Sequence, residues 1–346
     1  MAHALSRRQA LVTLAALPTT LAHPAAVSAG TPGAAAAADS FLSRCAASLT
    51  ACWHLLRGSD LSTVDRVVPT YLFALEGVAR QESRYQQAAA QLASQAHRIL
   101  GIIALHRDPL KVRERHCKQA LHFATIGSDP NSQASALISL ASTYFYGSNP
   151  ARAATVYEQA LSLGSDLSAL QRSRVHAELA VAYGQLRREQ EAIRSAGVAE
   201  EMYPGHPEED RSFLYAEFTP ASLTLERGLA YVALAEQYPG RGYQSRASDI
   251  FARVEQAMPA TVPDRIRFEI VNHQARTAVL QNDLDAFETY MGRGLDGVDL
   301  LQSRQRRKEA REAWERARQR WPGDRRLQTV SERLQIEAGH GTQEPV

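Results

Sequence analysis

Ala136-Leu137-Ile138-Ser139-Leu140-Ala141-Ser142-Thr143-Tyr144-Phe145-Tyr146, then Asn149-Pro150, then Ala153, Tyr157 and Ala160, is the stretch on which the fold turns. Leu137, Leu140, Ala141 and Tyr144 stand at i, i+3, i+4 and i+7, one face of a helix. Asn149-Pro150 ends that helix and opens another, because proline suits the first turn, where its missing N–H is not needed. The second helix carries a small, an aromatic and a small residue on its apolar face. Small residues let two antiparallel helices approach closely, and large ones fill the gap between one pair and the next. A single pair cannot bury its own apolar surface, so the pattern demands copies.

Copies are present. Leu179, Ala180 and Tyr183 precede Ala192, Ala196 and Ala199; Leu100, Gly101 and Ala104 precede Cys117 and Ala120. Leu100, Leu140 and Leu179 recur at intervals of 40 and 39, longer than the roughly 34 residues of a tetratricopeptide repeat, so longer loops between hairpins are expected. Leu229, Ala230, Ala233 and Phe251 suggest a fourth hairpin, and Ala275 with Ala278 a fifth, turning at Gln281-Asn282-Asp283. Ala310, Trp314 and Ala317 read as a last second helix. Trp53, Leu56 and Leu61 with Val67, Tyr71 and Leu75 read as a degenerate first hairpin. Tyr203-Pro204-Gly205, Tyr238-Pro239-Gly240 and Trp321-Pro322-Gly323 each read as a helix stop with a left-handed glycine. The fold expected is all-α, a tetratricopeptide-like helical-hairpin solenoid forming a right-handed superhelix.

Composition agrees. Of 346 residues 45% are hydrophobic but only 7% aromatic, and Ala, Leu, Gln, Glu and Arg, the strong helix formers, are plentiful. A net charge of +2 demands neither nucleic acid nor an anionic membrane. Cys45, Cys52 and Cys117 are too few for a disulfide framework and read as reduced, buried thiols.

Residues 1–38 form a leader without an acidic side chain. Arg7-Arg8, the apolar stretch Ala10–Ala22 and Val27-Ser28-Ala29 follow the order of a twin-arginine-like export signal. An interdomain linker explains them equally, and both stay open; the run Thr31–Ala38 is expected to be flexible. The repeats are expected to span residues 39–336, with a disordered tail over 337–346.

Beyond the generic repeat, Cys52-Trp53-His54-Leu55-Leu56, Arg113-Glu114-Arg115-His116-Cys117-Lys118-Gln119-Ala120-Leu121 and Ala136–Ala141 carry a narrower likeness. They resemble the repeat region of bacterial transcriptional regulators with a lambda-repressor-like helix-turn-helix domain. Ser6-Arg7-Arg8-Gln9-Ala10-Leu11 resembles the segment that joins the two parts in such proteins. The resemblance implies a sensing or oligomerising module, cytoplasmic unless residues 1–29 are an export signal. No helix-turn-helix fits into residues 1–38, so DNA binding is not carried over.

Chemistry motifs are missing from the sequence: no His-Glu-x-x-His, no Cys-x-x-Cys pair, no phosphate loop and no nucleophile elbow, among 11 histidines and three cysteines. No enzyme, cofactor or metal is expected. The inner faces of the first helices are the better candidates for binding: Gln95, Arg98 and His106; Ser142, Phe145 and Tyr146; Arg174 and Gln185; Arg227 and Tyr231; Asn272 and Arg276. Arginines with interleaved aromatics suit a protein or peptide ligand bearing acidic or C-terminal carboxylate groups. A homo-oligomer is compatible with this; direct nucleic-acid binding and a membrane span are not expected. The run Leu301–Arg326, with ten basic and four acidic residues, reads as a solvated capping helix in which Glu309, Glu312 and Glu315 pair with arginines.

Overall fold

Fifteen α-helices pair in sequence order among the residues that the computed structural model describes, 32–57, 60–210, 217–257 and 262–339. They are α1 (Pro32–Arg57), α2 (Leu61–Val67), α3 (Pro69–Arg80), α4 (Gln86–Arg107), α5 (Leu110–Ile126), α6 (Pro130–Tyr146), α7 (Pro150–Leu161), α8 (Ala169–Gln185), α9 (Glu189–Met202), α10 (Pro220–Gln237), α11 (Tyr243–Ala257), α12 (Asp264–Gln281), α13 (Leu284–Leu301), α14 (Arg304–Arg320) and α15 (Arg326–Gly339). Helices α4/α5, α6/α7, α8/α9, α10/α11, α12/α13 and α14/α15 form six hairpins. This is an all-α, tetratricopeptide-like solenoid of helical hairpins.

The packing residues fall where the spacing puts them. Ala141, Ala153 and Ala160 are fully buried where α6 meets α7, as are Ala180 and Ala192 between α8 and α9. Gly184 faces Ala233 and the Ala230 carbonyl of α10, so two inner helices meet backbone to backbone there. Local signals set the helix starts. Asp129, Asn149, Ser168, Thr219, Asp283 and Ser303 each accept a backbone N–H at their helix N-terminus, and proline follows at α6, α7 and α10.

Several expectations need correction. The longer repeat does not come from longer loops throughout. Between Leu100 and Leu140 the turns are short and the extra length is helix, since α4 has 22 residues and α5 has 17. Among the connections that are described throughout, the one over residues 162–168 is longer. Gly240 and Gly323 are left-handed, at φ +86 and +82, but Gly205 is not. Residues 32–38, expected to be flexible, are the first turns of α1, because alanine is the strongest helix former; Tyr85 Oη donates to the Ala35 carbonyl at 3.0 Å. Residues 1–31, with the double arginine, lie outside the described residues, as do 340–346.

The largest correction concerns α14. It is not a second helix but the first helix of a sixth hairpin, packed on α12 as α10 is on α8, with α15 outside it. It also touches α4. His106 of α4 pairs with Ser303 at 2.8 Å, Lys308 donates to the Tyr146 carbonyl at 2.6 Å, and Arg265 reaches the Leu56 carbonyl at 3.5 Å. The inner helices α4, α6, α8, α10, α12 and α14 therefore close into a ring.

Candidate ligand-binding site

Inside that ring the side chains are charged. Arg98 is 2% exposed, lies over the Trp53 ring and donates to Glu217 at 2.6 Å. Arg174 donates to Glu178 at 2.7 Å, and the Tyr157 hydroxyl bonds the same carboxylate. Arg306, also 2% exposed, bridges Glu269 at 2.9 Å and Glu309 at 2.6 Å. Arg113 donates to Ser142 and Thr143 at 2.5 and 2.8 Å. Isolated ions at such depth would cost several kcal/mol each; Arg98, Arg174 and Arg306 offset this by pairing with carboxylates, and Arg113 by donating to hydroxyl and carbonyl oxygens.

These charges surround a chamber of about 90 Å³ walled by His106, Ser142, Tyr146, Arg174, Glu226, Arg265 and Arg306, among others. Glu226 makes no hydrogen bond or ion pair among the described residues. Burial, with Glu178 and Glu269 nearby, pushes its carboxyl well above the usual carboxylate range, which favours its neutral form. Burial, with Arg306, Arg265 and Arg113 nearby, pushes His106 well below the usual imidazole range. A neutral His106 can accept from the Ser303 hydroxyl, whose oxygen also caps α14 by accepting the Arg306 N–H.

Beyond Phe145, Tyr146 and Glu269 the ring opens into a mouth of about 580 Å³. Phe145, Val181, Leu229 and Ala233 give it an apolar floor; Glu236, Arg276, Lys308, Glu312, Glu315 and Arg316 give it a charged rim, and His273 and the buried Glu309 stand in its wall. Arg276 Nε donates to Glu236 at 2.7 Å and Arg316 reaches the same carboxylate at 3.2 Å, so two guanidinium groups share one anion. Burial, opposed by Arg306 and reinforced by Glu269, pushes Glu309 up to about 7. Glu269, His273 and Glu309 each offer a donor atom, all within 4.8 Å of one another, the one such metal-ligating group among the described residues.

Of the twelve groove residues expected from sequence, His106, Ser142, Phe145, Tyr146 and Arg174 line the chamber, and Phe145, Tyr146, Gln185 and Arg276 line the mouth. Gln95, Arg98, Arg227, Tyr231 and Asn272 line neither. Arg227 pairs with Glu200 and the Tyr231 ring lies tilted against that of Tyr243, because α10 turns Glu226, Leu229, Ala233 and Glu236 inward, one helical stripe away. Asn272 is buried and donates to the Arg306 carbonyl at 3.1 Å. Sequence reasoning missed the whole contribution of α14. Its signal was the stripe Gln305, Lys308, Glu309, Glu312, Arg316 and Gln319 at three- and four-residue intervals, read instead as a solvated face.

No family model matches the chain, and no curated protein matches it. Among solved structures, the chain is similar to the tetratricopeptide-repeat domain of P58(IPK), at 12% identity over 89% of this chain and 98% of that one, with a TM-score of 0.20. The repeat architecture described above rests on the helices themselves. Among the described residues no helix is long and apolar enough to cross a membrane.

Proposed function

We propose that the chain is a non-enzymatic binding module that takes a short peptide or a small zwitterionic molecule in the mouth of its ring. The observation that carries this reading is the convergence of α6, α8, α10, α12 and α14 on one open cavity with an apolar floor and a mixed-charge rim. Arg276 and Arg316 are placed to share a ligand carboxylate, Glu312 and Glu315 to meet an amine, and Leu229 with Val181 to cover an apolar side chain. Five inner helices contribute, so a ligand there bears on the curvature of the whole superhelix. A sensing role in a bacterial transcription-control system, with the cytoplasm as its place, follows from the likeness of Cys52–Leu56, Arg113–Leu121 and Ala136–Ala141 to such regulators.

Thermal denaturation of the full chain with tripeptides bearing free or amidated C-termini tests the binding reading. Free-carboxylate peptides should raise the midpoint and amidated ones should not. Arg276→Glu should abolish the effect, as should Gln185→Trp, which fills the cavity without touching an ion pair. No shift with any peptide contradicts the reading. Transcript profiles unchanged by deletion of the gene would contradict the regulatory role.

A further inference from the structure

We propose that Glu269, His273 and Glu309 form a binding site for a divalent first-row transition-metal ion on the wall of the mouth. Glu269 and His273 stand four residues apart on α12, so both side chains rise from one face of that helix. Glu309 comes from α14, which packs against it. The three donor atoms lie within 4.8 Å of one another. An ion bonded at about 2.0–2.2 Å to each holds its donors about 3–3.6 Å apart, so closing on it from separations of up to 4.8 Å asks for side-chain movements of about an ångström.

The carboxylates have lone pairs left for an ion. Glu269 accepts from Tyr146 at 3.2 Å on one oxygen and from Arg306 at 2.9 Å on the other. Glu309 accepts from Gln305 at 3.0 Å on one oxygen and from Asn272 and Arg306 on the other. Each carboxylate has about four acceptor positions, so Glu269 keeps two and Glu309 one. The donors already in place act as the outer partners that orient ligating carboxylates at metal centres. His273 is the member without such ties. Its imidazole makes no side-chain hydrogen bond among the described residues, and it lines the open cavity. Two carboxylates and an imidazole, with no thiolate, suit Zn²⁺, Co²⁺, Ni²⁺ or Mn²⁺. Water or a ligand from the cavity would fill the remaining positions.

The competing account is that Arg306 alone neutralises the two carboxylates and the imidazole merely lines a wall. Titrating chelator-treated full-length protein with Co²⁺ separates the two, and it needs no peptide in the mouth, so its outcome is independent of the ligand reading. One equivalent of Co²⁺ should bind with a visible d–d band that Zn²⁺ displaces. His273→Ala, folded by circular dichroism, should lose the band. Glu309→Gln should weaken uptake at least tenfold. No band at one equivalent overturns the site, as does equal uptake by His273→Ala, which would put the ion on other histidines.

Discussion

At the scale of the residue, Arg306 shows how the interior is stabilised and how it misleads. It stands in the most basic run of the chain, yet it is 2% exposed and bonded to two carboxylates. Removing it leaves Glu269 and Glu309 without their shared cation. Arg306→Leu should therefore cost about 3–5 kcal/mol in urea unfolding. Arg84→Leu, at an exposed pair with Asp39, should leave the midpoint unchanged. Composition could not separate these arginines, because burial is decided by which helix lies opposite. His116 offers a second prediction at this scale. Burial, with His97 and Arg115 nearby, lowers it to about 4. The unfolded imidazole protonates near 6.5, so between pH 6.5 and 4 the unfolded chain binds the extra proton and stability falls as pH falls. His116→Gln should flatten that slope, by on the order of 1–2 kcal/mol at pH 4 after allowance for its partial exposure. A slope unchanged in the variant would remove His116 from the account.

At the scale of the element, small residues are what pair the helices. Gly228 of α10 lies against the Phe251 ring, and an added Cβ would stand 2.5 Å from Phe251 Cε1. Gly228→Ala should therefore destabilise by about 1–3 kcal/mol despite alanine's better helix propensity, as read by thermal or urea unfolding. Stabilisation instead would mean that α10 and α11 are less closely packed than described. Pairing of this kind was legible in the sequence. Ala141, Tyr144, Ala153 and Tyr157 name one another by spacing, and the Asn149-Pro150 start is local chemistry. The inward stripe of α10 was not legible, because Arg227 and Glu226 differ by one step around the helix and only contact with α8 and α12 fixes which faces inside. The role of α14 was hidden for the same reason. Charged residues on a helix look solvated until carboxylates from α12 are found opposite them.

At the scale of the whole molecule, the ring follows from helix dimensions. Six inner helices spaced about 10 Å apart around a circle have axes about 10 Å from its centre, and each fills about 5 Å of that. Long inward side chains occupy most of the rest, which is why the centre is a chamber of about 90 Å³ and the room for a ligand lies at the mouth. Closure depends on α4 meeting α14 through His106 and Ser303, a contact between residues 197 positions apart that no repeat spacing announces.

The most direct test measures that closure. Spin labels at Arg107→Cys and Arg304→Cys sit on exposed positions beside the two closing residues. The native cysteines interfere little, since all three are buried and burial holds the Cys45 and Cys52 thiols up at about 12. Pulsed electron–electron resonance should give one short, narrow distance, as expected of adjacent helices. A population centred near about 50 Å, the separation of the first and last of six helices in an open array, would contradict the ring and the site built on it.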